Sequence, residues 1–368
     1  MKLKIAITHG DINGVGYQVI LKALEDNRIL ELCTPIIYGS AKIASQYRKQ
    51  LGLQDYKLNI IESPADARHD AVNIINVVGE DVMPSPGQPS PEAGRAAVAA
   101  LERAVTDLRN GLVNAMVTAP INKKTVQSDT FIFPGHTEYR QSSLGEDGDK
   151  ALMVLFNDRI RVALATTHIP VSAISEALTR ENIADKIRAF ARSLHRDFAV
   201  DNPRIAVLAL NPHSGDDGLL GKEEQEVIAP AIQDARDEKI AAFGPYAADG
   251  FFGAGLFSKF DGVLAMYHDQ GLAPFKTIAM DNGVNFTAGL PFVRTSPDHG
   301  TGYDIAGKNL ACEDSFREAI YRAIDIFRCR SNEAEIHRNP LRRQYFDKSN
   351  DNVVLDLSKD DDDDAASK

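Results

Sequence analysis

Residues 263–311 read VLAMYHDQGLAPFKTIAMDNGVNFTAGLPFVRTSPDHGTGYDIAGKNLA, and this stretch decides the fold. Two short apolar runs, at 263–266 and 290–293, alternate with charged and polar side chains. A solvated loop would lack the apolar runs, and a core would lack the charges. The combination predicts strands and rigid loops that deliver functional side chains, as in α/β enzymes. The side chains so delivered are His268, Asp269, Lys276, Asn285, Arg294, Asp298, His299 and Asp304.

The rest of the chain alternates apolar strand candidates with helical segments. Ser90, Pro91 and Glu92 form a typical helix start, with a capping serine before a proline in the first turn. Such alternation predicts the α/β class with a largely parallel sheet. The strand candidates are 3–8, 34–38, 58–61, 71–77, 115–118, 151–157, 160–166, 204–210 and 262–266.

Composition narrows the function classes. The 368 residues are 43% hydrophobic and 25% charged, with a net charge of −11, which argues against nucleic-acid or anionic-membrane partners. Three scattered cysteines fit neither a disulfide framework nor a zinc knuckle, so we expect a reducing, cytoplasmic setting. We expect no signal peptide and no membrane span. Residues 351–368 contain an acidic run and are predicted to be a disordered tail.

The first strand candidate runs into a glycine-rich turn, HGDINGVG at residues 9–16. A glycine-rich turn between a strand and a helix can cradle a phosphate. Its GxxxGxG spacing differs from the GxGxxG dinucleotide fingerprint. A tight strand-to-helix turn without a ligand explains the glycines equally well, and both interpretations stand.

Three apolar strand candidates are each followed by a histidine, at His168, His213 and His268. A single histidine at a strand end is more often a satisfied polar residue than a ligand. Three at the same position are different, because the carboxyl ends of parallel strands lie side by side where ligands bind. Three imidazoles are also a known catalytic zinc set. The pattern therefore makes a metal plausible, although the spacing is too long for a local metal motif.

Two cations and one amide follow His268. Lys276, Asn285 and Arg294 flank the strand-like segment 284–288 and suit an anionic small molecule bearing phosphate or carboxylate. Surface salt bridges are the simpler explanation. We discount them because Arg294 directly follows the apolar run 290–293.

Six motifs in order make the chain resemble one enzyme family. They are TAPINK at 118–123, PGHTE at 134–138, TTHIP at 166–170, LNPHSG at 210–215, MYHDQGLAPFK at 266–276 and GLPFVRTSPDHGT at 289–301. Together they resemble the 4-hydroxythreonine-4-phosphate dehydrogenase family, which acts in pyridoxal phosphate biosynthesis. The resemblance covers residues 3–330.

The resemblance implies a fold of two α/β/α domains with a cleft between them. This fold is isopropylmalate dehydrogenase-like and is not a Rossmann fold, so no GxGxxG motif is needed. One domain would comprise residues 1–130 with 299–350 and would bind the nucleotide. The other, residues 131–298, would carry the metal and substrate groups and the dimer interface.

The resemblance also implies the roles of individual residues. One divalent ion, zinc, magnesium or cobalt, would be held by His168, His213 and His268, one of them from the second subunit of a homodimer. The implied substrate contacts are His136, Thr137, Lys276, Asn285 and Arg294. A nucleotide loop at 298–308 implies the cofactor contacts His299, Gly300, Asp304 and Gly307. Asp249 and Asp269 are candidates for the general base by position only.

The implied reaction is oxidation of 4-phosphooxy-L-threonine with NAD, or alternatively NADP, as acceptor. The β-keto acid product would lose carbon dioxide to give 3-amino-2-oxopropyl phosphate. An alternative is a related dehydrogenase of threonate or erythronate 4-phosphate. A metal-dependent protein that binds phosphate esters without catalysis is a third hypothesis, but it predicts a missing histidine or a disrupted nucleotide loop.

One turn departs from the family pattern. The family commonly has GDPAGIGPE where this chain has GDINGVGYQ at residues 10–18. Ile12, Asn13 and Tyr17 are the unusual residues. A contact between this turn and the substrate or cofactor would shift the preference of the enzyme.

Overall fold

The computed structural model describes residues 2–53, 56–127 and 151–339, which contain twelve strands in one sheet. The strand order is β3-β4-β2-β1-β5-β12-β11-β6-β7-β10-β8-β9. The strands are β1 Leu3–Thr8, β2 Cys33–Gly39, β3 Leu58–Ile61, β4 Val72–Asn76, β5 Ala115–Thr118, β6 Leu152–Phe156, β7 Arg161–Leu164, β8 Arg204–Leu208, β9 Ala241–Tyr246, β10 Gly262–Ala265, β11 Val284–Ala288 and β12 Val293–Pro297.

Helices alternate with the strands, as the α/β class requires. None of the described helices is long and apolar enough to cross a membrane. The α-helices of the described ranges are α1 Gly16–Ala23, α2 Ile29–Leu32, α3 Ala41–Gln50, α4 Pro91–Arg109, α5 Ile174–Ala177, α6 Arg180–Phe198, α7 Ala229–Asp237, α8 Ala248–Gly253, α9 His268–Ala279 and α10 Asp314–Ile336.

The sheet reverses direction in its middle. The strands from β3 to β12 in the sheet order are mutually parallel, and so are β7, β10, β8 and β9. Between these blocks, β12 with β11, β11 with β6, and β6 with β7 pair antiparallel. The two blocks therefore run in opposite directions, and their carboxyl ends lie at opposite edges of the sheet.

The two faces of the sheet are covered differently. One face carries a single continuous core that includes Ile5 of β1, Ile205 of β8 and Phe316 of α10. The other face carries two separate cores, one between the first block and α4, the other between the second block, α8 and α9. The middle strands of this second face lie between those two cores.

The α/β class and the largely parallel sheet are confirmed, with two local differences. The apolar run 290–293 was predicted as strand-like, but β12 spans Val293–Pro297 and residues 290–292 belong to its connection with β11. Strand β9 carries Pro245, which in a sequence argues against a central strand. It lies at the edge of the sheet, where a missing N–H is tolerated.

Contacts divide the chain into a compact unit, Met1–Ser331, and a second unit, Asn332–Lys368. The first unit holds all twelve strands. The predicted boundaries at residues 130 and 299 stay a prediction, and the acidic tail at 351–368 lies outside the described residues.

His9 directly follows β1 and lies inside the core. Its side chain is fully buried, and its ring stacks on Tyr17 with 5.3 Å between ring centres, while Tyr17 stacks on Tyr47. Burial lowers the pKa of His9 to about 4, and backbone contacts with Gly10 and Ala96 oppose only part of that shift. The fold therefore holds this imidazole neutral.

This burial predicts a pH dependence of stability. The unfolded chain binds a proton at His9 as the pH falls below ~6.5. The folded chain binds it only at about pH 4. The free energy of unfolding therefore decreases as the pH falls below ~6.5, and the loss is roughly 2 kcal/mol at pH ~4.5. We expect His9→Leu to flatten the fall in unfolding free energy between pH ~7.5 and ~4.5, measured by urea denaturation. His195→Gln, on the exposed face of α6, is the control. An unchanged slope in His9→Leu would contradict the assignment.

Candidate functional site

The three candidate metal histidines follow neighbouring parallel strands. His168 follows β7, His268 follows β10 and His213 follows β8, and these strands are adjacent in the order β7-β10-β8. Their carboxyl ends therefore share one edge of the sheet. The ring centres of His168 and His268 are 5.9 Å apart. The sequence prediction that these histidines come from one sheet edge is confirmed.

A small pocket of about 270 Å³ opens beside His168 and His268. His268 begins α9, and the carboxylate Oδ1 of Asp269 lies 2.7 Å from its Nδ1. A carboxylate on one ring nitrogen fixes the orientation of a metal-binding imidazole and leaves the other nitrogen for the ion. The remaining pocket residues are Thr166, Thr167, Ile169, Val171, Ile174 and Tyr267.

Histidine side chains are suitable ligands for a divalent ion, but the described residues of one chain group too few of them. Imidazole nitrogens bind zinc at about 2.0–2.1 Å, so histidine side chains are suitable donors. Among the described residues, however, no three histidine, cysteine or acidic side chains are grouped to hold a metal. The described residues of one chain therefore do not by themselves form a three-donor site.

A polar strip lies between the two cores on the divided face. In the register of the sheet, Arg294 of β12 pairs with Met116 of β5, and Asn285 of β11 pairs with Leu155 of β6. Met116 and Leu155 belong to the two separate cores, so Arg294 and Asn285 point to the same side. The polar strip, defined by its members, comprises Thr118, Asn285, Thr287, Arg294 and Ser296.

Arg294 is the buried cation of this strip. It is 3% exposed, and its guanidinium donates to Thr118 Oγ1 at 2.6 and 3.1 Å. Burial lowers its pKa to about 9 because the charged form loses hydration. A surface salt bridge, the simpler explanation from the sequence, does not describe this residue.

Lys276 reaches the same region from α9. Its ammonium donates to the carbonyl oxygen of Asp298 at 3.0 Å and lies 3.4 Å from the Asp298 carboxylate. Burial raises the pKa of Asp298, and Lys276 lowers it in part. Burial also lowers the pKa of the next residue, His299. Asn285 and Arg294 thus lie on one side of the sheet and Lys276 contacts Asp298, while the role of all three in substrate binding stays a prediction.

The remaining predicted site residues have mixed surroundings. Gly300 has open space where a side chain would be, Asp304 is exposed, and Gly307 lies close to Pro86. Asp249 is exposed in the first turn of α8. His136 and Thr137 lie outside the described residues.

Asp269 is better explained as the partner of His268 than as a base. Its side chain is 85% exposed and contacts the His268 ring. Neither this contact nor the exposed position of Asp249 tests catalysis, so the base stays a prediction.

Lys123 lies in the TAPINK turn after β5, which the sequence suggests as the edge of a site or, nearly as well, as a plain loop. It follows β5, yet its Nζ lies 3.3 Å from Nε2 of His168, which follows β7 in the oppositely directed block. The twist of a sheet, roughly 20–25° per strand pair, can bring such loops together. No local motif could predict this contact because it depends on the register of the middle strands.

The glycine-rich turn at 9–16 is occupied by the protein's own backbone. A side chain at Gly10, Gly14 or Gly16 would approach backbone oxygens to 2.5 Å or less, those of Pro120, Thr301 and His9 in turn. The tight-turn interpretation explains these glycines without a phosphate.

The unusual residues of that turn have structural partners. Asn13 accepts from the Ser85 N–H at 2.7 Å and donates to the Gln88 carbonyl at 2.7 Å. Its neighbour Asp11 accepts from the Tyr303 hydroxyl at 2.6 Å. The turn thereby fixes two loops, 85–88 and 301–307, that carry or touch the predicted cofactor residues.

Comparisons with known proteins agree with one another. The family described as "Pyridoxal phosphate biosynthetic protein PdxA" matches residues 31–323. A 4-hydroxythreonine-4-phosphate dehydrogenase of Bacteroides thetaiotaomicron is 56% identical over 362 residues, 98% of this chain and 99% of the relative. One of Sulfurihydrogenibium is 40% identical over 329 residues, covering 89% and 99%.

Solved structures are similar as well. That of a 4-hydroxythreonine-4-phosphate dehydrogenase from Klebsiella pneumoniae superposes with a TM-score of 0.75 at 34% identity, covering 89% of this chain and 98% of the other. The structure of a putative enzyme of the same name from Salmonella typhimurium gives 0.76 at 33% identity, covering 89% and 100%.

The position of Lys123 predicts an effect of known sign on metal binding. A cation bound at His168 Nε2 has to displace the ammonium and is repelled by it. We expect Lys123→Met to tighten Zn²⁺ binding by about 3–10-fold, because one positive charge is removed from a solvent-exposed site. Isothermal titration calorimetry measures the effect.

Lys124→Met is the matched control, since it removes the neighbouring exposed lysine and leaves the Lys124 N–H bond to Asn122 intact. Equal zinc affinity in the two variants would show that Lys123 does not face the metal position.

Proposed function

The chain belongs to the PdxA family of pyridoxal phosphate biosynthetic proteins, and from that premise we propose that it is an NAD-dependent 4-hydroxythreonine-4-phosphate dehydrogenase. The substrate is 4-phosphooxy-L-threonine, and the acceptor is NAD. The oxidised product loses carbon dioxide to give 3-amino-2-oxopropyl phosphate. The enzyme works in the cytoplasm.

The observation that carries this proposal is the polar strip with its buried Arg294. Arg294 is 3% exposed, so its charge lies within the strip and not at the surface of the protein. Lys276 adds a second positive charge from α9, and Asn285 adds an amide on the same face. Phosphate and carboxylate of the substrate match these groups.

A divalent ion would be held by His168, His213 and His268. When bound, it would lower the pKa of the substrate hydroxyl and polarise the ketone that oxidation produces. The residues of the chain would do the rest. Arg294 and Lys276 hold the anionic ends of the substrate, so that the C–H bond at the alcohol carbon faces the cofactor.

The active unit is a homodimer with a shared metal site. The described part of one chain does not group three metal donors. Large apolar side chains are exposed in the segments that follow His168 and His213, which supports a covered surface at this edge. They are Ile169, Val171, Leu219 and Leu220, between 38% and 79% exposed.

NAD would lie against the 298–308 loop, with contacts from His299, Gly300, Asp304 and Gly307. The support is local geometry. Gly300 leaves open space for a ligand, and the hydrogen bond from the Tyr303 hydroxyl to Asp11 anchors the loop. The Rossmann fingerprint is not needed in such a site.

The alternative substrates, threonate and erythronate 4-phosphate, gain no support. The two relatives and the two solved structures compared above are all named for 4-hydroxythreonine 4-phosphate. The non-catalytic hypothesis predicts a missing histidine or a disrupted loop, and the sequence has neither.

The test is NADH formation, followed at 340 nm, with 4-phosphooxy-L-threonine and with threonate 4-phosphate. We expect NADH from the first substrate, a much lower rate with the second, and loss of activity on chelation that Zn²⁺, Mg²⁺ or Co²⁺ restores. Threonate 4-phosphate is the matched control, because it carries a hydroxyl in place of the ammonium.

Two outcomes would overturn parts of this account. A lack of NADH from both substrates with metal present removes the dehydrogenase function. A rate that chelation leaves untouched removes the metal site.

A further inference from the structure

The segment that carries His213 has an unusual backbone. Five consecutive residues, His213 to Asp217, have φ values of 51°, 57°, 82°, 45° and 54°. All five are left-handed, and only Gly215 is a glycine. Side chains crowd the backbone in this conformation, so each of the other four residues costs free energy. Such a run persists only where surrounding contacts over-determine it, as they do at functional sites.

Glu224 supplies several of those contacts. It is 3% exposed and begins a π-helical turn, Glu224–Ile228. Its Oε1 accepts from the backbone N–H groups of Leu210 and Asn211 at 2.8 and 2.7 Å. Its Oε2 accepts from the side-chain amide of Asn211 at 3.0 Å. These bonds fix the chain immediately before the left-handed run.

The same carboxylate also lies against the middle of the run. A side-chain carbon at Gly215 would be 2.6 Å from Glu224 Oε2, so the oxygen is packed on the Gly215 backbone. Beyond that point, Leu220 N–H donates to the Gly215 carbonyl at 3.0 Å. The run is therefore held at its entrance and at its centre by one buried charge.

His213 depends on this backbone for its direction. Among the residues that the structure describes, none forms a hydrogen bond with a His213 ring nitrogen, whereas His268 is oriented by Asp269. The His213 ring is exposed, so packing does not fix it either. What remains is the left-handed backbone at its own Cα.

We propose that Glu224 is the positioning residue for His213, holding the left-handed run so that the imidazole can bind the metal ion. This inference rests on the proposed function, in which His213 is a metal ligand. Glu224 does not touch the ion. It acts by excluding the relaxed, right-handed conformation of residues 213–217, in which the ring would point elsewhere.

The test is Co²⁺ titration of the purified full-length protein by calorimetry and visible absorption. Glu224→Gln keeps the side-chain volume but removes the charge and sets an amide group against Asn211. We expect Co²⁺ affinity to fall by about 10–100-fold, as for other residues that support metal ligands. The absorption bands of any bound Co²⁺ should shift, because a displaced imidazole changes the coordination geometry.

Glu226→Gln is the matched control in the same helical turn. Its side chain is 67% exposed and lies 3.9 Å from Lys222, so we expect wild-type Co²⁺ affinity. His213→Ala is the reference for complete loss of the ligand and should weaken binding at least as much as Glu224→Gln.

The outcomes distinguish the proposed metal site from the proposed role of Glu224. If His213→Ala binds Co²⁺ like the wild type, both the proposed metal site and this inference are wrong. If His213→Ala loses binding while Glu224→Gln keeps it, only the inference is wrong, even when Glu224→Gln melts at a lower temperature.

A second variant covers the case in which Glu224→Gln does not fold. Asn211→Ala removes the amide that Glu224 holds and leaves the carboxylate with its two backbone bonds. We expect several-fold weaker Co²⁺ binding, and an unchanged affinity in folded Asn211→Ala would overturn the proposal.

Discussion

The reversal of strand direction in the middle of the sheet is the constraint on which the site depends. Antiparallel pairing of β11 with β12 and with β6 joins two blocks that run in opposite directions. On one face a continuous core ties the blocks together, and on the other the core is split in two. The polar side chains of the middle strands lie between these two cores.

Arg294 illustrates the energetic cost of placing a charged side chain in this strip. Burying a guanidinium is unfavourable, and the lowered pKa records that loss of hydration. The hydrogen bonds from its guanidinium to Thr118 offset part of that loss within the fold. His9 differs from Arg294, because the core keeps its imidazole neutral and no buried charge has to be compensated.

The sequence predicted the class of the fold and the common position of three histidines, because both follow from local patterns. Apolar runs that end in a polar residue are visible in any α/β chain. The contact of Lys123 with His168 was not predictable in this way, since it joins loops from opposite blocks. The left-handed run at His213 was hidden too, because four of its residues are not glycine. Contacts from Glu224 hold these four residues in a left-handed conformation that their side chains disfavour.

The most direct measurement of the central claim, a metal site shared between two subunits, is activity after mixing inactive variants. With His268 as the ligand that the second subunit supplies, refolded mixtures of His268→Ala with His213→Ala, and of His268→Ala with His168→Ala, should regain about a quarter of wild-type NADH formation. About half of the dimers in each mixture are mixed, and each holds one intact site of two. A mixture of His168→Ala with His213→Ala should stay inactive if both belong to one subunit. Failure of all three mixtures to regain activity would contradict the shared site.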